Sequence, residues 1–250
     1  MTQNKPKGTQ LEGRIAIVTG AGTGIGEAIA AAFAAEGAHV IIAGRRKDKL
    51  DEAVAKITAA GGAASANAVD VTKEDSVAAL FATTVERHGR VDILVNNAGA
   101  STSGDTDKLT LAAWQKVIDT NLTGAFLCSR DAFRLMKAQR SGRIINVGSV
   151  SAKVPRKGSA AYGASKFGLE GLTRAMAIEG REFGIAVSII QPGNTLPGLW
   201  SGREEQAKKE GLMQASTVAG VVLAMAAMPP EVNLYESIIL PITMPLLGRG

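Results

Sequence analysis

The hydrophobic residues of this chain form short apolar runs that alternate with longer segments of helical periodicity. The runs predict strands near residues 14–19, 38–43, 63–69, 91–96, 143–148, 185–190 and 237–242. The periodic segments predict helices near residues 24–36, 47–60, 73–88, 110–139, 159–182 and 214–228. Strands that alternate with helices are typical of βαβ units with parallel strands. The pattern therefore predicts an α/β fold with one doubly wound parallel sheet and helices on both faces.

The polarity of the N-terminus and the length of the chain predict its domain organisation. Residues 1–10 are polar and lack the apolar stretch of a signal peptide, so we expect a flexible tail. Residues 11–250 are expected to form a single domain, because a chain of this size can bury about three quarters of its extended surface in one core. No apolar run approaches the ~18 residues of a membrane span. We therefore expect a cytoplasmic protein without membrane association.

Charge and rare residues argue against several classes of function. The net charge is +5, but the basic residues are dispersed and aromatic residues make up only 4%, too few for the stacking surfaces of nucleic-acid binders. The single Cys128 cannot form an internal disulfide, and no metal-ligand cluster is visible. The chain has no Gly-x-Ser-x-Gly elbow, and both histidines, His39 and His88, lie near predicted strand starts. We expect no nucleic-acid partner, no metal and no serine-hydrolase chemistry.

A glycine-rich turn joins the first predicted strand to the first predicted helix. Residues 19–26 read Thr-Gly-Ala-Gly-Thr-Gly-Ile-Gly. Glycines allow the backbone to approach a pyrophosphate, whose charge is held by the amides and the positive dipole end of the helix N-terminus. The alternative is a glycine-rich turn without a ligand, but the strand before it and the helix after it supply the expected context. The turn therefore predicts nucleotide binding.

Tyr162 and Lys166 lie four residues apart within a predicted helix. This spacing places both side chains on one face. A phenol, with an ordinary pKa of about 10, exchanges its proton poorly at neutral pH, but a neighbouring ammonium favours its phenolate form. The pair therefore indicates acid–base chemistry, and the alternative is an amphipathic helix that carries a Tyr and a Lys by chance.

Further polar residues follow the predicted strands. Ser149 follows the strand at 143–148, and in open parallel sheets ligands bind beyond the carboxyl ends of the strands. Asn96–Gly99 follows the strand at 91–96 in the same way. Asn121 lies inside a predicted helix, where Asn normally lowers stability. These positions indicate a polar site at the carboxyl edge of the sheet.

In this order and spacing, the motifs resemble those of the short-chain dehydrogenase/reductase family over about residues 11–195. The resemblance implies a seven-stranded Rossmann sheet, a nicotinamide cofactor and a homodimer or homotetramer. It implies an oxidoreductase that interconverts a small-molecule carbonyl compound and a secondary alcohol. The residues that match the catalytic tetrad of the family are Asn121, Ser149, Tyr162 and Lys166.

The resemblance also implies roles for individual residues. Ser149 and Tyr162 would hydrogen-bond the substrate oxygen, and Tyr162 would give the proton. Lys166 would bind ribose hydroxyls and Asn121 would hold a water. Together with two arginines considered next, the residues assigned to cofactor binding are Gly20, Thr23, Gly24, Ile25, Gly26, Arg45, Arg46, Asp70, Val71, Asn97, Ala98, Gly99, Tyr162, Lys166, Pro192, Gly193 and Thr195.

The choice between NAD and NADP depends on the residues at the end of the second strand. An acidic residue there accepts hydrogen bonds from a ribose 2′-hydroxyl, whereas basic residues bind a 2′-phosphate. The chain has Gly44 followed by Arg45 and Arg46, with no carboxylate at the strand end. Two guanidinium groups favour NADP(H), while a solvated basic loop would leave NAD(H) possible.

The substrate is less well defined by the sequence. Residues 191–193 match the family, but 194–197 depart from it, because the usual Thr lies two residues later than Thr195. Segment 196–213 is expected to form a lid over the substrate. The C-terminal part lacks the Asp-Gly-Gly ending of many acyl-carrier-protein reductases and is nearer to 3-hydroxy-acid dehydrogenases. The alternatives are a 3-oxoacyl thioester reductase, a 3-hydroxy-acid dehydrogenase and, in a different class, a nucleotide-sensing protein without turnover.

Overall fold

Seven strands form one parallel sheet in the computed structural model, which describes residues 9–197 and 204–246. The first six strands are β1 (Ile15–Thr19), β2 (His39–Gly44), β3 (Ala63–Ala68), β4 (Ile93–Asn96), β5 (Gly142–Val147) and β6 (Ile185–Pro192). Two short strands, β7 (Thr195–Leu196) and β8 (Met213–Gln214), pair with each other outside the sheet, and β9 (Glu236–Ile239) completes it. The order across the sheet is β3-β2-β1-β4-β5-β6-β9. The predicted doubly wound parallel sheet is confirmed.

Helices cover both faces of this sheet. Within the described residues they are α1 (Gly24–Ala35), α2 (Lys47–Ala59), α3 (Glu74–His88), α4 (Leu111–Ile118), α5 (Gly124–Gln139), α6 (Ala160–Gly180), α7 (Glu204–Glu210) and α8 (Ala215–Ala226). One apolar cluster joins α1, α2 and α8 to the sheet, and a second joins α3, α5 and α6 to the opposite face. The sheet is therefore the middle of three layers.

The central strands are apolar because both of their faces are buried. In β2, Val40 and Ile42 belong to the cluster beneath α1, α2 and α8, whereas Ile41 and Ala43 belong to the cluster beneath α3, α5 and α6. Successive side chains of a strand point to opposite faces, so both sets need to be apolar. This explains why the sequence shows continuous apolar runs instead of an alternating pattern.

The chain reverses its direction of travel across the sheet beside β1. From β1 it proceeds outward through β2 to β3, and β4 then lies on the other side of β1. In open parallel sheets this reversal leaves a crevice beyond the carboxyl ends of the strands, where ligands bind. The glycine turn that follows β1 lies at this point.

Two predicted elements differ in their extent. The predicted helix 110–139 is interrupted by a π-helical turn, Asp119–Thr123, between α4 and α5. Asn121 in this turn hydrogen-bonds to the backbone of Ala100, and such side-chain bonds compete with regular helix. The predicted strand 237–242 ends at Ile239, because Pro241 has no amide hydrogen to donate to a ladder.

Two predicted segments fall partly outside the described residues. Of the predicted tail 1–10, residues 1–8 lie outside, and the Gln10 amide donates to Glu36 Oε2 (3.1 Å). Of the predicted lid 196–213, residues 198–203 lie outside, and the remainder contains α7. Over residues 9–197 and 204–246, no helix is both long enough and apolar enough to cross a membrane.

Candidate active site

The glycine turn is held tightly against the end of β4. Thr19 Oγ1 accepts hydrogen bonds from the amides of Asn97 (3.0 Å) and Ala98 (3.1 Å). The Asn97 side chain donates in return to the carbonyls of Thr19 (2.9 Å) and Gly20 (3.1 Å). Gly20 has a φ of +65°, and a Cβ there would lie 2.8 Å from Ala98 Cα. Because a side chain would be both strained and too close, this approach requires glycine.

The N-terminus of α1 borders the crevice. The helix begins at Gly24, and its N-cap, Thr23, does not cap it with its side chain. No side-chain cap therefore competes with an anion for the amides of the first turn, where the helix dipole is positive. A Cβ at Gly26 would collide with Asn97 Nδ2 and lie 2.7 Å from the Gly20 carbonyl oxygen. Gly26 thus permits α1 to pack against the turn.

A cavity of about 440 Å³ lies beyond the carboxyl ends of the strands. The predicted cofactor residues that line it are Gly20, Thr23, Gly24, Ile25, Arg45, Arg46, Asp70, Val71, Asn97, Ala98, Gly99, Tyr162, Lys166, Pro192, Gly193 and Thr195. Ser149 lines it too, beside Tyr162 and Lys166. Among the predicted site residues, Gly26 and Asn121 are outside the lining that the described residues form.

Charged groups line the cavity just past β2 and β3. Arg45 and Arg46 are exposed, and Arg46 Nη2 donates to Thr23 Oγ1 (3.4 Å). Asp70 Oδ1 accepts hydrogen bonds from the amide (3.0 Å) and hydroxyl (2.8 Å) of Thr72. Burial alone would raise the pKa of Asp70, but the Thr72 hydrogen bonds and the Arg45 charge lower it. Asp70 is therefore held as a carboxylate that can accept hydrogen bonds.

Lys166 is a buried cation beside Tyr162. Its side chain lies 5% exposed, and Nζ donates to the Val147 carbonyl (2.7 Å) at the end of β5. Nζ lies 5.6 Å from the centre of the Tyr162 ring. Burial lowers the pKa of Lys166 from 10.5 to about 8. The predicted pairing of these two side chains on one helix face is present in α6.

Ser149 is held by two hydrogen bonds, one to its side chain and one from its backbone amide. Ser149 Oγ accepts a hydrogen bond from the Ser151 amide (3.1 Å) and so begins the short 3-10 turn Val150–Ala152. The Ser149 amide donates to Gln191 Oε1 (2.7 Å). The hydroxyl hydrogen of Ser149 can therefore be directed into the cavity while the residue itself is held on two sides.

Both polar atoms of the Asn121 side-chain amide form hydrogen bonds within the protein. Its Oδ1 accepts from the Ala100 amide (2.7 Å), and its Nδ2 donates to the Ala100 carbonyl and to Ser165 Oγ (2.9 Å each). Ser165 Oγ donates in turn to the Tyr162 carbonyl (2.7 Å). Asn121 thus fastens the segment after β4 to α6. Its predicted role in holding a water stays a prediction.

An ion pair that the motifs did not predict lies at the wall of the cavity. Arg156 and Asn194 line the cavity. The Arg156 guanidinium binds both oxygens of Glu210, at the end of α7, and its Nη1 lies 2.9 Å from Glu210 Oε1. Asn194 Nδ2 donates to Glu210 Oε2 (3.1 Å). The hydroxyl of the predicted cofactor residue Thr195 donates to the Gly193 carbonyl (3.0 Å).

One sequence signal could have indicated Arg156. It lies in the segment that joins Ser149 to Tyr162, so its side chain has to start close to the site. Glu210 gave no such signal, and the match of residues 191–193 did not indicate the partner of Gln191, because these contacts join positions far apart in the chain.

Comparison with known proteins identifies the family of the chain. The model of the short chain dehydrogenase family matches residues 14–208. The chain is 42% identical over 186 residues to a 3-oxoacyl-acyl-carrier-protein reductase of Synechocystis sp., a match that covers 74% of this chain and 75% of that protein. It is also 42% identical over 186 residues to 3beta-hydroxysteroid dehydrogenase 1 of Eggerthella lenta, covering 73% of this chain and 71% of that protein.

A solved structure agrees as well. A metagenomic short-chain oxidoreductase, crystallised in complex with NADP, superposes with a TM-score of 0.83 at 34% identity and covers 93% of this chain and 99% of that chain. Fold, motif order and sequence similarity therefore lead to the same assignment. The chain belongs to the short-chain dehydrogenase/reductase family of oxidoreductases, which act on hydroxyl and carbonyl groups.

Proposed function

We propose that this protein interconverts a carbonyl compound and a secondary alcohol, with Tyr162 as the general acid and base and with NADP(H) as the preferred cofactor. The observation that carries the proposal is one cavity in which Ser149, Tyr162 and Lys166 lie with the glycine turn and two arginines. One ligand in this cavity can therefore contact the proposed acid, a second hydroxyl, a buried cation and the backbone of the glycine turn.

The residues present fit a dinucleotide. Gly20 and Gly24 have positive φ angles and place no side chain between the backbone and the cavity. The first-turn amides of α1 suit a pyrophosphate, and the carboxylate of Asp70 suits an exocyclic amine. Lys166 has one hydrogen committed to Val147, which leaves two for ribose hydroxyls. When bound, a nicotinamide cofactor supplies or accepts the hydride.

The protein's own groups handle the substrate oxygen and its proton. In reduction, the hydroxyls of Ser149 and Tyr162 donate hydrogen bonds to the carbonyl oxygen, and Tyr162 gives its proton as the alkoxide develops. In oxidation, Tyr162 takes the proton back. An ammonium at Lys166 stabilises the negative charge that Tyr162 carries after proton loss.

The relatives suggest which substrates to try. One of them is named a 3-oxoacyl-acyl-carrier-protein reductase and another a 3beta-hydroxysteroid dehydrogenase. Reduction of 3-oxoacyl thioesters is therefore the second candidate within the same chemistry, alongside oxidation of 3-hydroxy acids. Ketones, aldehydes, 3-oxo esters, 3-oxoacyl thioesters and 3-hydroxy acids form a panel that separates these candidates.

The preference for NADP(H) is supported by charge at the end of β2. Arg45 and Arg46 line the cavity, and the strand ends in Gly44 with no carboxylate. A 2′-phosphate can form charge-assisted hydrogen bonds with both guanidinium groups. The metagenomic neighbour was crystallised with NADP.

Self-association is supported by apolar side chains that α5 and α6 expose. Phe126 on α5 is 44% exposed, and Phe167 and Ile178 on α6 are 49% and 64% exposed. The opposite sides of these helices cover the sheet, so both sides of each helix carry apolar residues. We propose that a second copy of this chain covers the outer sides, giving a homodimer or homotetramer.

Tyr162→Phe is expected to lower turnover by about 10²- to 10⁴-fold, because it removes the proton that general acid catalysis transfers. Affinity for NADPH should stay nearly unchanged, since the glycine turn is intact. Absorbance of NADPH with the substrate panel measures turnover. Tyr235→Phe removes the other tyrosine hydroxyl of the chain and should leave turnover unaffected. Retention of wild-type turnover by Tyr162→Phe would refute the proposed acid. Cofactor binding without turnover in the wild type would favour the alternative of a nucleotide-sensing protein.

Lys166→Met tests the buried cation through the pH dependence of stability. Burial disfavours the charged Lys166, and this cost is complete below about pH 8, the pKa of the folded form. Between about pH 8 and 10.5 the unfolded chain holds a proton that the folded chain has released, so the wild type gains stability as pH rises. Relative to the variant, this gain should reach about 3 kcal/mol, measured by urea unfolding of the apoprotein.

Lys153→Met is the matched control for this measurement. Burial alone would lower the pKa of Lys153, but hydrogen bonds to Glu170 and Glu236 outweigh it and raise the pKa. Lys153 therefore keeps its charge in the same pH window, and the difference in stability between the wild type and Lys153→Met should change little with pH. A flat difference for Lys166→Met as well would contradict a lowered Lys166 pKa.

Arg45→Ala combined with Arg46→Ala should raise the KM for NADPH about 100-fold and leave that for NADH nearly unchanged. Each charge-assisted contact is worth about 1.5 kcal/mol at an exposed site, or about tenfold. The effect should shrink at high salt. Lys47→Ala is the control, because this neighbouring cation pairs with Asp51 (2.6 Å) and does not line the described cavity.

Gly44→Asp extends the same test. A Cβ at Gly44 would lie 3.3 Å from Leu50 Cδ2, the end of a flexible side chain that can adjust. The new carboxylate should repel a 2′-phosphate and accept hydrogen bonds from a 2′-hydroxyl, which favours NADH. Equal losses with both cofactors, or a wild type that prefers NADH, would show that the arginines form a solvated loop.

Light scattering at micromolar concentration should report a dimer or tetramer for the wild type. Phe167→Glu should lower the mass, because burying a charge in an apolar interface is unfavourable. Leu111→Glu is the control, since Leu111 is 77% exposed but lies on α4. A monomeric wild type would exclude the proposed assembly.

A further inference from the structure

A fully buried glutamine lies behind Ser149. Gln191, near the end of β6, is 0% exposed. Its Oε1 accepts a hydrogen bond from the Ser149 amide (2.7 Å), and its Nε2 donates to Glu170 Oε2 (3.1 Å). Because the backbone amide can only donate and the carboxylate can only accept, one orientation of the glutamine amide satisfies both neighbours. The side chain is therefore a fixed bridge.

The Gln191 side chain accepts a backbone hydrogen bond just beyond the end of the β5–β6 ladder. The last pair of the β5–β6 ladder is Val147 with Ile190, and the Gly148 amide still donates to the Ile190 carbonyl (2.8 Å). The next amide, that of Ser149, is bound by the glutamine side chain instead. A Cβ at Gly148 would collide with Gln191 Oε1. Gly148 and Gln191 thus fit each other, and their contact sets the start of the loop that carries Ser149.

The other end of the bridge lies on the helix that carries the proposed acid. Tyr162, Lys166 and Glu170 are spaced four residues apart along α6 and therefore share one face. The chain of contacts from Ser149 through Gln191 to Glu170 consequently joins the two hydroxyl-bearing elements. Their separation determines whether both hydroxyls reach one substrate oxygen.

Charges around Glu170 hold it in place. Lys153 Nζ, in the loop between Ser149 and Tyr162, lies 2.8 Å from Glu170 Oε1 and 2.8 Å from Glu236 Oε1 on β9. Arg174 on α6 also binds Glu170 Oε1. Two carboxylates are thereby balanced by two cations. The bridge is anchored at its Glu170 end by a charge-balanced cluster, which a hydrogen bond alone would not achieve.

We propose that Gln191 and Glu170 are positioning residues for the reaction, and that they act by holding Ser149 at the distance from Tyr162 that one substrate oxygen requires. This inference rests on the proposed function, in which Ser149 hydrogen-bonds that oxygen. Neither residue lines the cavity that the described residues form, so they act on the reaction indirectly, and the hydrogen bond to the Ser149 amide is the proposed point of action.

A double-mutant cycle with the full-length protein and its cofactor tests this. Gln191→Met keeps the approximate length of the side chain and removes its hydrogen bonds to the Ser149 amide and to Glu170, together with a longer one to Glu236 Oε1 (3.5 Å). It should lower kcat about 10- to 100-fold, the loss expected from a small displacement of a reacting group, with little change in KM for NADPH. In a Ser149→Ala background the same change should cause no further loss. A loss of equal size in both backgrounds would overturn the inference.

Ser188→Ala is the matched control on the same strand. Ser188 is 2% exposed, and its hydroxyl donates to Asn233 Oδ1 (2.7 Å), away from Ser149. Its replacement removes a buried hydrogen bond of β6 and should lower the unfolding midpoint without changing kcat. A fall in kcat equal to that of Gln191→Met would indicate that the strand responds to any lost hydrogen bond.

Gln191→Glu provides a readout that does not depend on tolerance of methionine. The new carboxyl group would face Glu170, with Lys153, Arg174 and Glu236 nearby, and two carboxylates in contact favour sharing one proton. With the proton shared, the hydrogen bonds of residue 191 to the Ser149 amide and to Glu170 can form again. The kcat of this variant should therefore recover as pH falls, relative to the wild type, and an unchanged pH profile would contradict the proposal.

The outcomes separate this inference from the proposed function. A wild type without turnover on any member of the panel would refute the proposed function itself. Normal kcat in Ser149→Ala would refute the role of Ser149. An impaired Ser149→Ala combined with an additive Gln191→Met would refute the positioning role alone.

Discussion

The approach of the glycine turn to the end of β4 is the contact on which the site depends. Thr19 and Asn97 exchange hydrogen bonds across it, and Gly20 and Gly26 provide the space. These bonds join β1 to β4, the two strands between which the chain reverses its course. Without this contact the crevice would have no fixed wall, and the N-terminus of α1 would have no fixed direction. The end of the cavity proposed to bind the dinucleotide is therefore a consequence of sheet topology and two hydrogen-bonding side chains.

The end of the cavity that holds Ser149 and Tyr162 depends on how α6 meets the end of β5. Besides the hydrogen bond from Asn146 to Thr173 and the ion pair of Lys153 with Glu170, two further links join these elements: Lys166 donates to the Val147 carbonyl, and Glu170 reaches Ser149 through Gln191. Both links place polar or charged groups where the fold would be more stable with apolar ones, and burial lowers the pKa of Lys166 to about 8 as a result. Stability is reduced here in exchange for a defined arrangement of hydroxyls, a compromise that is common at active sites.

The sequence predicted the architecture well because the central strands are buried on both faces. Continuous apolar runs separated by helical periodicity leave few alternatives to a parallel α/β sheet. It failed where a side chain redirects the backbone: Asn121 binds Ala100 and opens a π-helical turn, which no periodicity reveals. It also missed the partners of the site. The pairs Arg156–Glu210 and Ser149–Gln191 join residues 54 and 42 positions apart, and only the folded chain brings them together.

The Arg156–Glu210 pair contributes a charge to the cavity wall that is already balanced within the protein. Both side chains are largely buried, at 17% and 14% exposure, so the charge of the guanidinium is already neutralised within the protein. A ligand carboxylate that approached Arg156 would have to compete with Glu210 for the guanidinium, and breaking a largely buried ion pair is unfavourable. Asn194 donates a hydrogen bond to the Glu210 carboxylate, and Glu210 is the last residue of α7. One ion pair therefore both neutralises Arg156 at the cavity wall and holds the end of α7 against it.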